Sequence, residues 1–117
     1  MAEAFEQAAL AMTAVIVDPA RVAAERRVTV ECEADNSELL LVDWLNALLT
    51  EMSARRMLFA RFEVRTDGRR LSGKAYGETV APDRHVPAVE VKGASYLALS
   101  VGRDERGVWV AQCVVDV

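Results

Sequence analysis

The residues that could do chemistry sit in three places in this 117-residue chain. Asp116 closes an otherwise apolar run, Val114, Val115 and Val117. A carboxylate there either points off a sheet edge into water or meets a cation. The Val117 carbonyl and the terminal carboxylate stand beside it, and oxygen donors of this kind suit calcium or magnesium better than zinc. Glu90 and Lys92 alternate with Val89 and Val91 and so share one face of an extended piece. They read either as a charged strand edge that discourages aggregation or as a lysine placed to hold an anion or a partner's carboxylate. His85, next to Arg84, is the one histidine, able to titrate near neutrality and expected at the surface. Cys32 and Cys113 fall in alternating apolar runs and read as small reduced core residues, with neither disulfide nor zinc spacing. There is no nucleophile elbow, phosphate-binding glycine loop or dinucleotide fingerprint.

These positions need a scaffold, and its centre is the stretch Asp35 to Met52. Leu41, Leu45, Leu48 and Met52 recur at helical spacing, Trp44 and Leu49 widen the stripe, and Asp43, Asn46 and Thr50 share the narrow polar face. Asp35 with Glu38 three residues on predicts a capping box at the start. Residues 3 to 16 predict an earlier helix, with Phe5, Ala9, Met12 and Ile16 on one side and Asp18-Pro19 ending it. Strict alternation from Arg27 to Glu33 predicts a half-exposed strand, with Val28, Val30 and Cys32 inward. Two further runs, residues 58 to 65 and 71 to 80, flank Thr66-Asp67-Gly68 and predict a hairpin. Gly73 and Gly77 inside the second run mark a bulge, a bend or a close backbone approach. Residues 81 to 93 read as a loop leading into a short extended piece, and strands follow at 95 to 101 and 108 to 115 around the turn GRDERG. The order predicts one α+β domain over residues 1–117, a largely antiparallel or mixed sheet packed with two main helices.

The balance of 14 Lys and Arg against 18 Asp and Glu, a formal charge of −4, argues against strong direct nucleic-acid binding, which needs clustered cations in excess. The paired arginines at 26–27, 55–56 and 69–70 fall at predicted element ends. No apolar run approaches the roughly 20 residues of a membrane span, and no signal peptide is seen, so a cytoplasmic protein without a membrane partner is expected.

The stretches AEAFEQAALAM, LLLVDWLNALL, GETVAPDRHVPAVEVKGASY and the closing VVDV, in that order, resemble the archease family over essentially the whole chain. The resemblance implies an accessory protein, not an enzyme, that activates the GTP-dependent tRNA-splicing RNA ligase by promoting its guanylylation and its multiple turnover. It further implies a divalent cation, calcium, held by Asp116 and the Val117 carbonyl together with an aspartate in a strand ahead of the first helix. Lys92 matches the family's central lysine, expected to be needed for activation, with Glu90 and His85 in support. The sequence starts in the first helix, so the strand carrying that first aspartate is expected to be missing, and the metal site with it to be incomplete. Other readings are a chaperone of a tRNA methyltransferase, a general protein or RNA chaperone, and a small hydrolase or isomerase using Glu90, His85 and Asp116 as acid and base.

Overall fold

The computed structural model describes residues 1–85 and 90–116, the side chains of residues 82, 84 and 96–98 excepted. Helix α1 spans Ala2–Ile16, and a single 3-10 turn, Pro19–Arg21, is capped by Asp18, whose carboxylate accepts from the Ala20 N–H. Strand β1 covers Arg26–Glu33, helix α2 Ser37–Arg55, β2 Met57–Thr66 and β3 Arg70–Thr79. A short helix α3, Pro82–His85, occupies part of the segment expected to be loop, and β4 (Gly93–Arg103) and β5 (Trp109–Asp116) complete the order.

The architecture is α+β, and among the described residues the strand pairs are antiparallel. The strands are divided between two sheets, β1-β3-β2 and β4-β5. Helix α1 packs against β2 of one sheet and β5 of the other, and α2 against β1 and β4. This position explains why α2 is covered so broadly. Besides the expected Leu41, Trp44, Leu45, Leu48 and Met52, it also buries Leu40 and Val42, and Leu49 is half-buried. The cap lies one residue later than the sequence suggests: Asn36, not Asp35, accepts from the Leu39 N–H at 2.9 Å. Asp and Asn cap about equally well, so burial of the apolar stripe decides between adjacent candidates. At the other end the chain leaves α2 through Arg56 in the left-handed region, φ 53°, with its N–H on the Met52 carbonyl.

The β2–β3 hairpin is closed by Asp67, whose carboxylate accepts from the N–H groups of Arg69 and Arg70. Those donors hold its carboxyl below the ordinary carboxylate value. Both glycines of β3 answer close approaches. A methyl on Gly73 would sit 2.5 Å from the Trp44 ring, and one on Gly77 would sit 1.8 Å from the Leu58 carbonyl oxygen. Gly77 stands opposite the bulge, where the register slips between Phe59 and Arg61. The helices are tied together through the fully buried Trp44, whose indole N–H donates to the Phe5 carbonyl at 3.1 Å.

Candidate functional site

The antiparallel β4–β5 register determines which sequence-distant residues meet. Gly93 pairs with Asp116 and Ala94 with Val115, and the Lys92 N–H donates to the Asp116 carbonyl at 2.7 Å. Lys92 and Asp116, 24 positions apart in the chain (116 − 92), therefore share one end of the small sheet. Both side chains are exposed. Glu90 and Lys92 flank Val91, which is buried in the main core, so the alternation expected from the sequence holds over 90–92. An open cleft of about 600 Å³ runs between this segment and the last turns of α2, with Asn46, Thr50 and Ser53 on the helix side and Glu90 and Lys92 opposite. The Asn46 side-chain carbonyl accepts from the Ala94 N–H at 2.9 Å across the floor of this end. Val117 and Val89 lie outside the described residues.

His85 belongs to a different place, and the expectation of a surface histidine is corrected. It is 1% exposed, and its Nδ1 accepts from the Ala81 N–H at 2.8 Å. With Nδ1 used as an acceptor, the proton of the neutral ring sits on Nε2, which faces Glu78 Oε1 at 3.3 Å. The other Glu78 oxygen accepts from the Ala23 N–H. The Glu78–His85 pair thus joins the end of β3, the turn into α3 and the segment after the 3-10 turn. Sequence reasoning gave Glu78 no site role, reading it as part of a strand and of the stretch GETVAPDRHVPAVEVKGASY that carries the resemblance. The available signal was a carboxylate directly after a glycine in a strand, with the sole histidine seven residues on.

This arrangement does not assemble the acid–base set of a small hydrolase, because His85 is buried against Glu78 while Glu90 and Asp116 face solvent. Nor do the described residues fit a complete calcium site. Calcium takes roughly six to eight oxygens, whereas no three His, Cys, Asp or Glu side chains come together among the described residues. Asp116 stands as an exposed carboxylate beside a lysine-bearing segment. Cys32 is half-buried on β1, and burial, with the Asp43 charge second, pushes its thiol up to about 11. Burial raises Cys113 as well. Both are therefore poor nucleophiles near neutrality. Among the described residues no helix is long and apolar enough to cross a membrane.

The sequence model of the Archease protein family (MTH1598/TM1083) matches residues 1–117. Proteins named archease from Pyrococcus furiosus and Sulfolobus acidocaldarius are 37% and 36% identical to this chain over 119 residues, covering 98% of it and 84% of each relative. Archease from Methanosarcina mazei is 38% identical over 120 residues, covering 98% of this chain and 82% of that one. The solution structure of Methanobacterium thermoautotrophicum protein 1598 superposes with a TM-score of 0.77 at 31% identity, covering 97% of this chain and 82% of that one.

Proposed function

The chain belongs to the archease family, and from that premise we propose that it is a cytoplasmic accessory protein that activates the GTP-dependent tRNA-splicing RNA ligase. In this reading it promotes guanylylation of the ligase and its repeated turnover. The observation that supports it is the backbone hydrogen bond from Lys92 to Asp116 at one end of β4–β5, where Asp116 is paired with Gly93. An ammonium and a carboxylate are presented there, exposed, from the same end of a hydrogen-bonded hairpin whose backbone geometry is preset. Preset charges give specificity and steer encounter, and they avoid most of the ordering cost of docking. Lys92 and Asp116 act through their own charges on complementary groups of the ligase, with Glu90 on the same side of its segment as Lys92. His85 contributes from a distance, by holding the turn that leads toward residues 90–92. The net charge of −4 agrees with a protein partner rather than a direct grip on RNA.

The test is multiple-turnover ligation of a split tRNA by the cognate ligase, with and without this chain. Stimulation is expected from the wild type, with a loss of about tenfold or more in Lys92→Ala and Asp116→Ala while their thermal midpoints stay unchanged, since exposed polar substitutions move stability little. Full stimulation by both variants would overturn the assignment of this end as the contact surface. Isothermal titration with calcium, comparing wild type and Asp116→Asn, decides separately whether Asp116 binds the ion. Heat of binding lost in the variant supports a ligand role, and equal titrations exclude it.

A further inference from the structure

We propose that Asn46 is a positioning residue: its side-chain amide clamps the start of β4 to α2 and so holds Lys92 and Asp116 in register. The proposal rests on the reading of these two residues as the ligase-facing pair. Asn46 lies on the polar strip of α2 that the sequence assigns to solvent, but only its neighbours Asp43 and Thr50 are exposed. Thr50 turns its hydroxyl back onto its own helix, donating to the Asn46 carbonyl. The Asn46 side chain instead reaches across 48 residues of sequence to accept from Ala94. Ala94 is the second residue of β4 and lies two positions from Lys92, while Gly93 between them pairs with Asp116.

Space as well as hydrogen bonding joins this corner to the helix. A methyl on Gly93 would meet the Asn46 side-chain oxygen at 3.6 Å, so the backbone runs in contact distance of the amide. The helix side of the clamp is rigid, because Leu45 and Leu48 beside Asn46 are almost fully buried in the core. The strand side is less so. Residues 90–92 carry no regular structure of their own and are held by Val91 in the core and by the Lys92–Asp116 backbone bond. An acceptor at position 46 thus adds a side-chain hydrogen bond between the best-buried helix and the start of the strand that follows the Lys92 segment. A side chain there that met only water would be replaceable by any small residue. A clamp demands an oxygen at that position.

The experiment compares wild type, Asn46→Ala and Asn46→Asp in the full chain, the aspartate keeping an oxygen where the amide oxygen sits. Amide hydrogen exchange is expected to accelerate by about fivefold at Ala94 in Asn46→Ala, the factor that loss of one net hydrogen bond gives. Exchange in β1–β3 should be unchanged, and protection at Ala94 should return in Asn46→Asp. In the ligation assay, Asn46→Ala should raise the concentration for half-maximal stimulation several-fold while reaching the wild-type maximum, and Asn46→Asp should restore it. Unaltered exchange at Ala94 in Asn46→Ala overturns the clamp, and altered exchange with unaltered stimulation overturns its bearing on activation. If the wild type itself fails to stimulate, the ligase reading falls; a localised loss of protection at Ala94 in Asn46→Ala then still upholds the clamp, and unaltered exchange there still refutes it.

Discussion

Gly73→Ala is the sharpest test of how this core is packed. The new methyl would stand 2.5 Å from Cζ3 and 2.6 Å from Cη2 of Trp44, with Leu71 Cδ2 at 3.3 Å. Carbon atoms rest at about 3.5–4.0 Å, so roughly 1 Å must be found. The indole is badly placed to give it. Its ring is fully buried, its N–H is bonded to Phe5, and its other side meets Phe62 edge-on at 6.2 Å between centroids. Overpacking of this kind costs about 1–3 kcal/mol, and a ring fixed on two sides argues for the upper part of that range. Replacing glycine in a strand returns about 0.5–1 kcal/mol of backbone entropy. The expected net loss is about 2 kcal/mol, which at a urea slope of about 1.5 kcal/mol/M moves the unfolding midpoint down by roughly 1.3 M. The second arm is a double-mutant cycle. Trp44→Phe removes the outer ring atoms that collide, at its own cost in packing and in the indole hydrogen bond. Gly73→Ala should then be cheaper in the Trp44→Phe background by at least about 1 kcal/mol. Midpoints from urea titrations at constant slope measure both quantities. Additivity within about 0.5 kcal/mol, or a Gly73→Ala chain as stable as wild type, would refute the account of Gly73 as a glycine required by Trp44.

Three further outcomes follow from the buried His85 and the half-buried Cys32. His85→Ala removes the acceptor of the Ala81 N–H and the ring that faces Glu78, which should cost about 1–3 kcal/mol and be read as a lower thermal midpoint; an unchanged midpoint would show that the pair ties nothing together. The Cys32 thiol, raised from 9.0 to about 11 by burial and then by Asp43, should carry about a hundredfold less thiolate at pH 8 than an unburied thiol and react correspondingly slowly with a disulfide reagent in a Cys113→Ser chain. Because its folded value lies above its unfolded one, its contribution to stability is whole below pH 9 and is lost as pH climbs toward 11. The urea midpoint of wild type should therefore fall toward that of Cys32→Ser across this window, and a constant gap would contradict it.

What the sequence made legible was whatever depends on periodicity. Leu41, Leu45, Leu48 and Met52 lie on one helix face however the rest of the chain folds, and Val28 and Val30 must point the same way in any strand. The glycines of β3 were legible as a bulge, a bend or a close approach, and the fold makes both close approaches, with a bulge opposite Gly77. The partition of strands into two sheets was not legible. Alternation tells which face is buried and says nothing of which layer buries it, so the breadth of apolar cover on α2 was visible in the sequence without its cause. Capping was legible only to within one residue, because Asp35 and Asn36 offer similar acceptors.

The limits at the site are of another kind. Lys92 and Asp116 were each singled out by type and resemblance, yet their adjacency is a product of hairpin register, which a one-residue slip would change. His85 was misplaced because a lone histidine carries no pattern. Its burial follows from Glu78, a carboxylate that alternation reads as an ordinary strand residue until its partner is known. Asn46 is the clearest case. A polar residue on the polar strip of an amphipathic helix satisfies every local rule as a solvated side chain, so sequence reasoning has no reason to ask more of it. Only the fold brings an N–H from 48 residues away to within 2.9 Å of its oxygen. Buried main-chain donors require acceptors, and a strand that begins against a helix takes one from the helix surface. The search for positioning residues in a small domain of this architecture is therefore best directed at the polar strips of central helices where they pass the first residues of a strand, and position 46 meets that condition.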